Sequence, residues 1–126
     1  MKILICTDGS ALSDKAVEAA IGVAKPLHAK LCAMTVVSEG KGKDDPAACK
    51  RLDDVEAKCK EAGLDCVKKV VVARAPWIGI TETAKNDEVD FVVMASRGMG
   101  SIGSLLLGSE TQKTLAGIDR PVLVVR

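Results

Sequence analysis

Five short apolar runs, separated by segments with helical spacing, constrain the fold of this chain more than any other feature. Most of the runs are almost continuously apolar, which is typical of parallel strands covered by helices on both faces of a sheet. The third run contains Lys68 and Lys69, so we expect it to lie nearer an edge. The predicted strands are Ile3–Cys6, Leu31–Val37, Val67–Ala73, Phe91–Ala95 and Val122–Val125.

The two longer segments between these runs have apolar residues at helical spacing. The first predicted helix spans roughly residues 13–25 and ends near Pro26, because proline does not continue a helix easily. The second spans roughly residues 46–62, and Gly63 is placed to cap its C-terminus.

Two shorter helices complete the pattern. One begins at Pro76, and the other begins at Ser109, which forms a capping-box pattern with Gln112. Gly117 suits the position just past the end of the last helix. The repeated order of strand and helix, closed by a final strand, predicts an α/β sandwich around a parallel sheet. We expect a single domain over residues 1–126.

The composition argues against several classes of function. The net charge is +1 and the only aromatic residues are Trp77 and Phe91, so no basic or base-stacking surface for nucleic acid is expected. No apolar run approaches the roughly 20 residues of a membrane helix, and Asp8 interrupts the first run too early for a signal peptide. Five cysteines without a C-x-x-C pair favour a reduced, cytoplasmic protein.

A glycine-rich segment follows the fourth apolar run and leads into the last predicted helix. Ala95, Gly98 and Gly108 are small, and Ser109 opens the helix. Backbone N–H groups can approach an anion closely at such positions, and a helix N-terminus favours negative charge. These residues therefore predict a phosphate site. Residues 98–103 also match the dinucleotide fingerprint by letter, but the next helix starts only at Ser109, which does not fit that motif.

The spacing of this segment resembles the ATP-binding motif of the universal stress proteins, G-x2-G-x9-G-[ST]. Here the motif reads A-x2-G-x9-G-S from Ala95 to Ser109. Residues 2–10, with Asp8 after the first strand, resemble the start of that family, and residues 121–125 resemble its last strand. Together the three stretches extend the resemblance over essentially the whole chain.

The resemblance implies a three-layer α/β sandwich, Rossmann-like and of the nucleotide-binding α-hydrolase type, with a five-stranded parallel sheet in the order 3-2-1-4-5. In such sheets a ligand binds beyond the carboxyl ends of the strands where the strand order reverses, here between strands 1 and 4. The implied ligand is ATP, or else AMP or ADP, with Mg²⁺ or Mn²⁺ on the phosphates. The binding residues carried over are Thr7, Asp8, Val36, Met94, Ala95, Arg97, Gly98, Gly108, Ser109, Glu110 and Thr111.

The family assigns these positions different parts of the nucleotide. Asp8 matches a residue near the base, Val36 and Met94 match contacts to the base and ribose, and Arg97 matches a position near the sugar and phosphates. The phosphates are held at positions matching Gly98, Gly108, Ser109 and Thr111, where hydroxyl and N–H groups are available.

Four of these residues also have a purely structural interpretation. Asp8 precedes glycine and serine, which is a common turn. Ser109 could serve only to cap its helix, a contribution of about 1 kcal/mol. Val36 and Met94 belong to predicted strands, so core packing alone could explain them.

Two residues depart from the family motif. Ala95 replaces the first glycine and adds a methyl group, which costs about 1–3 kcal/mol if the ligand passes close by. Glu110 stands where an apolar residue is usual, in the first turn of the last helix. Two like charges about 6 Å apart repel by roughly 3 kcal/mol at an effective dielectric of 20, unless Glu110 points outward. We therefore expect weakened rather than abolished ATP binding.

Three hypotheses for the function follow. The first is a stress-response regulatory dimer that binds ATP or a related adenine nucleotide, with no catalytic residues and at most slow metal-assisted hydrolysis. The second is a nucleotide-independent dimeric interaction module that docks a regulatory protein partner. In either case the resemblance implies that dimers pair through the apolar edge strand Val122–Val125. The third is an enzyme or phosphoacceptor of another α/β family. It is disfavoured because Asp8 lacks the paired acid, and the last strand the following lysine, that a phosphoacceptor domain has.

Overall fold

The computed structural model describes residues 1–98 and 106–126 of the chain. Five strands and four helices alternate there, as the sequence predicts. The strands are β1 (Lys2–Cys6), β2 (Lys30–Val37), β3 (Cys66–Val72), β4 (Phe91–Ala95) and β5 (Val122–Val125). The helices are α1 (Ala11–Leu27), α2 (Pro46–Glu61), α3 (Pro76–Asn86) and α4 (Ser109–Gly117).

The strands form one parallel sheet in the order β3-β2-β1-β4-β5, which confirms the predicted order. β1 lies at the centre, where Leu4 pairs with Cys32 of β2 on one side and Val92 of β4 on the other. β3 lies at an edge, as its lysines predicted. The chain order therefore reverses between β1 and β4.

The side chains of β1 alternate between two separate cores, one on each face of the sheet. Ile3 and Ile5 pack with α1 and α2, whereas Leu4 and Cys6 pack with Ile80 of α3. These β1 residues are buried at 0–7% exposure, which explains why the run has no polar interruption. Two helical layers thus enclose the sheet, and the three-layer sandwich is confirmed.

The helix α1 ends close to the predicted position near Pro26, since it continues through that proline to Leu27. Two backbone hydrogen bonds close the last turn of the helix beyond the proline. The N–H of His28 donates to Lys25 O, and the N–H of Ala29 donates to Ala24 O. His28 adopts the left-handed conformation, at φ 50°. These bonds satisfy the last carbonyls, so the single N–H that proline lacks is tolerated.

The predicted capping box at the start of α4 is wrong. Gly108 is the N-cap, and Ser109 is the first residue of the helix itself. Gln112 instead donates its side-chain N–H to Leu107 O at 2.8 Å. Gly117 is the last helical residue rather than the first beyond it. The interpretation of Ser109 as only a helix cap therefore fails.

In the described ranges 1–98 and 106–126, no helix is long and apolar enough to cross a membrane.

Candidate functional site

A crevice of about 360 Å³ lies beyond the carboxyl ends of the central strands, at the point where the strand order reverses. Every binding residue carried over from the family resemblance lines this crevice. They come from the loop after β1, the end of β2, the end of β4 and the first turn of α4. The topology thus brings together residues that are about ninety positions apart in sequence.

The loop between β1 and α1 forms one wall of the crevice. The N–H of Ser10 donates to Asp8 Oδ1 at 2.9 Å, which is the turn expected from the sequence. Gly9 adopts φ +83°, a conformation that suits glycine. The buried hydroxyl of Thr7 lies 3.0 Å from that of Ser13 and accepts the N–H of Gly9. This loop is therefore held by its own hydrogen bonds, and Asp8 serves the turn while lining the crevice.

The end of β2, the strand next to β1, lines the crevice beside this loop. Val36 is half-buried and lines the crevice beside the buried Thr35. The guanidinium of Arg51, on α2 and outside the crevice, donates to the Thr35 hydroxyl at 2.8 Å. The orientation of Thr35 is thus fixed by a charged residue outside the crevice.

Two glycines leave space where any side chain would intrude. A Cβ at Gly98 would lie 2.6 Å from Asp8 Oδ2, so the end of the Asp8 side chain would have to move. A Cβ at Gly108 would lie 3.1 Å from Arg97 Cα, in backbone that cannot easily give way. We refer to Gly98 and Gly108 as the glycine cradle. One glycine lies against the Asp8 loop and the other lies at the start of α4. With no side chain at either position, a ligand can approach the backbone closely.

The N-terminus of α4 opens onto the crevice. Its N-cap, Gly108, carries no side chain, and Ser109 is exposed next to it. The buried hydroxyl of Thr111 donates to Ala95 O at 3.0 Å. This hydroxyl therefore ties α4 to β4, and its proton is not available for the phosphate contact predicted from the sequence. The helix N-terminus itself still favours an anion.

Glu110 does not point outward, because it also lines the crevice. Its Oε1 accepts the backbone N–H of Trp77 at 3.3 Å, in the first turn of α3. The N-cap of α3 is Ala75, whose side chain cannot accept that bond. Glu110, on α4, thus caps the N-terminus of α3.

The β4 residues of the crevice belong partly to the core. Met94 is 6% exposed and packs with Leu4, Cys6 and Ile80, so its core interpretation holds while it also lines the crevice. Burial, and to a lesser extent the neighbouring Cys32 thiol, raises the pKa of Cys6 far above its usual range. This thiol stays protonated and is a poor nucleophile. Ala95 is the last residue of β4, and the half-buried Arg97 immediately precedes Gly98 of the glycine cradle.

Sequence reasoning missed several residues that line the same crevice. Met34 and Thr35 adjoin Val36, and Ser13 follows the Asp8 loop, so proximity in sequence was the available signal. Pro76 and Ile80 come from α3, and no motif marks them. The missed residues are Cys6, Ser13, Met34, Thr35, Pro76 and Ile80.

A second hollow, of about 560 Å³, lies behind the Asp8 loop between α1 and α2. Its charged residues are largely paired with one another on the surface. Lys50 bonds to Asp54 at 3.1 Å, and Lys58 lies 4.0 Å from Asp14. Across the described part of the chain, no group of three or more histidine, cysteine or acidic side chains could hold a metal ion.

Comparison with known proteins agrees with this geometry. The model of the universal stress protein family matches residues 1–126. A universal stress protein of Thermus aquaticus is 31% identical over 98% of this chain and 97% of its own length.

Two solved structures share the fold. One, the protein MJ0577, superposes with a TM-score of 0.88 at 24% identity, covering 98% of this chain and 94% of its own. The other, a universal stress protein in complex with cAMP, has a TM-score of 0.82 at 28% identity and covers 100% and 96%.

Proposed function

We infer the function from one premise: this chain belongs to the universal stress protein family. We propose that the crevice between β1 and β4 binds ATP or a related adenine nucleotide. The observation that carries the proposal is the glycine cradle, where added Cβ atoms at Gly98 and Gly108 would lie only 2.6 Å and 3.1 Å from their neighbours. A similar structure, 28% identical, holds cAMP, which is itself an adenine nucleotide.

The walls of the crevice suit the separate parts of such a ligand. Asp8, in the loop after β1, and Val36, at the end of the adjacent strand β2, offer a carboxylate and an apolar contact for the base and ribose. Arg97 and the open start of α4 lie at the phosphate end. A divalent ion, Mg²⁺ or Mn²⁺, would be held mainly by the phosphates, because the described residues supply no metal cluster.

We propose that binding serves a regulatory role in a stress response and not turnover. The Cys6 thiol is buried and protonated, and Arg97 is the single cation among the described lining residues. A protonated thiol and a single guanidinium do not activate water or another nucleophile. We therefore expect at most slow, metal-assisted hydrolysis of ATP. The five cysteines, all free, are consistent with the reducing cytoplasm as the site of action.

Adding nucleotide to stripped protein is expected to raise its Tm. A ligand at a hundred times its Kd stabilises the native state by about 2.7 kcal/mol, which raises Tm by several degrees in a domain of this size. The measurement is a thermal melt with ATP, ADP or AMP, each with and without Mg²⁺, and with GTP as the control for the base. The absence of any shift at millimolar adenine nucleotide would contradict the proposal.

A nucleotide-independent interaction module is the second candidate. It is favoured by Glu110, a carboxylate at the phosphate end that already bonds Trp77. That candidate predicts a protein that assembles identically with and without nucleotide and shows no change in Tm.

In either case we propose a homodimer paired through β5. β5 lies at a sheet edge, contains no charged residue, and exposes Leu123 at 37%. The other edge, β3, carries Lys68 bonded to Asp53 at 2.8 Å and Lys69 bonded to Asp87 at 2.9 Å. Charged side chains discourage edge-to-edge pairing, so β5 is the edge suited to a second copy.

Replacing Leu123 with lysine is expected to convert the dimer to a monomer, because a charge is placed in the paired edge. Light scattering at micromolar concentration measures the result. The matched control is Val67→Lys, which adds the same charge at an exposed position of the opposite edge and should leave the dimer intact. A wild-type monomer, or equal dissociation by both variants, would refute pairing through β5.

A further inference from the structure

We propose that Arg51 of α2, which lies outside the crevice, is a positioning residue that controls how tightly the crevice binds an adenine nucleotide. This inference rests on the proposed binding of such a nucleotide and names a residue on which that binding depends. The observation that carries it is that one guanidinium group reaches two separate segments of the crevice wall, the end of β2 and the loop after β1.

The first of these segments is the end of β2. Arg51 Nη1 donates to the hydroxyl of Thr35 at 2.8 Å, and Thr35 is 2% exposed and lines the crevice. A guanidinium group can only donate, so the Thr35 oxygen is the acceptor. Hydrogen bonds from a charged donor are about twice as strong as neutral ones. Arg51 therefore fixes the side chain of Thr35 at the wall of the crevice.

The second segment is the loop after β1, where the same arginine lies over Gly9. A Cβ at Gly9 would lie 2.7 Å from Arg51 Nε and 3.4 Å from Arg51 Cδ. The side chain of Arg51 thus fills the space that a side chain at Gly9 would take. Because Asp8 precedes Gly9 and lines the crevice, Arg51 supports the loop next to this carboxylate.

This loop separates the crevice from the hollow between α1 and α2. Thr7 and Asp8 line both cavities, whereas Arg51 lines the hollow alone. Arg51 therefore supports the loop from the hollow, and a nucleotide in the crevice does not need to touch it.

Such support affects affinity because a ligand binds more tightly to groups that are already in place. The start of the loop is tied to β2 by the N–H of Thr7, which donates to Met34 O at 3.0 Å. Arg51 adds a second tie, from α2, at Gly9. Without the guanidinium group, the loop and the Thr35 side chain gain freedom that a nucleotide must remove again on binding.

The test removes the guanidinium group and measures nucleotide affinity in the folded protein. Arg51→Met keeps an unbranched apolar stem and removes both contacts. Its matched control is Lys50→Met, which removes the same charge from the preceding residue of α2, also beside the hollow. Thr35→Val removes the acceptor and keeps the branched shape. Calorimetric titration of each stripped variant with AMP and with ATP, at low and at high salt, gives Kd, and a melt without ligand gives Tm.

We expect Arg51→Met to weaken the binding of AMP and of ATP about fivefold or more, at both salt concentrations, whereas Lys50→Met changes Kd less than about twofold. A through-space effect of the lost charge would instead fade at high salt. Thr35→Val should also weaken binding. The double variant should lose less than the two single losses combined, because both changes break the same hydrogen bond.

A lower Tm with unchanged Kd in Arg51→Met would assign Arg51 to stability alone and overturn the proposal. A loss that disappears at high salt, or that Lys50→Met reproduces, would also overturn it, and so would additive losses in the double variant. If Arg51→Met does not fold, Thr35→Val decides alone, and an unchanged Kd there contradicts the proposal. Failure of wild-type protein to bind AMP or ATP would instead overturn the proposed function.

Discussion

Gly108→Val is expected to weaken nucleotide binding at least tenfold and to remove the rise in Tm that nucleotide causes. An added Cβ would lie 3.1 Å from Arg97 Cα and 3.3 Å from Arg97 Cβ, so the start of α4 must move away from β4. The N–H of Gly108 also donates to Ser96 O at 2.7 Å, and that bond would be strained. Overpacking of this kind typically costs about 1–3 kcal/mol, and a loss of about 1.4 kcal/mol already corresponds to a tenfold weaker affinity.

Gly40→Val is the matched control, because a Cβ at exposed Gly40 meets nothing within 4 Å. Circular dichroism and the melt without ligand show whether each variant folds, and titration with adenine nucleotide shows whether it binds. If folded Gly108→Val protein binds as tightly as wild type, the glycine cradle does not hold the ligand.

Alanine at two helical glycines is expected to change stability in opposite directions. Gly79 of α3 is buried against the sheet, where an added Cβ would lie 2.7 Å from Val36 Cγ2 and 3.2 Å from Val71 Cγ1. Branched valine side chains in strands have little freedom to move. We therefore expect Gly79→Ala to lower the free energy of unfolding by about 1–3 kcal/mol despite the better helix propensity of alanine.

Gly22 of α1 is exposed, and an added Cβ meets nothing within 4 Å. Gly22→Ala should therefore raise the free energy of unfolding by about 0.5–1 kcal/mol through helix propensity alone. Urea unfolding measures both variants under identical conditions.

A double variant identifies the cause of the effect at Gly79. Val36→Ala removes two of the three methyl groups that the new Cβ would meet, including the nearest, so Gly79→Ala should cost less in that background. If Gly79→Ala is neutral or stabilising in the wild type, α3 does not pack on β2 as closely as described.

The strands and helices were predictable because their signals are local. The continuous apolar run of β1 required burial on both faces, and Lys68 and Lys69 marked β3 as an edge strand. The order of the strands came from the family resemblance instead, since periodicity does not determine which parallel strands are neighbours. Without that order, the loop holding Asp8 and the segment holding Gly98 could not have been placed together.

Two bonds of the α4 segment could not be predicted, because their partners are supplied by the tertiary structure. The Thr111 hydroxyl is used by Ala95 O, and the Glu110 carboxylate by Trp77 N. Each partner is distant in sequence, so no motif of the α4 segment could have revealed the bond.

The contribution of α3 to the crevice was missed for the same reason. Pro76 and Ile80 reach the crevice because Gly79 lets the helix approach Val36 closely. That approach depends on the packing of α3 against β2 and β3, which the spacing of residues 76–86 does not encode.

Of the rejected dinucleotide fingerprint, Gly100 and Gly103 lie outside the described residues.

Above all, we propose that an adenine nucleotide binds in the crevice between β1 and β4. Titration of stripped, ¹⁵N-labelled protein with AMP, followed by amide resonances, tests both the binding and its place. We predict saturable shifts at Asp8, Val36, Gly98 and Gly108, with no change at exposed Lys60 on α2. No saturable shift at millimolar AMP or ATP, or shifts confined to residues outside the crevice, would contradict the account.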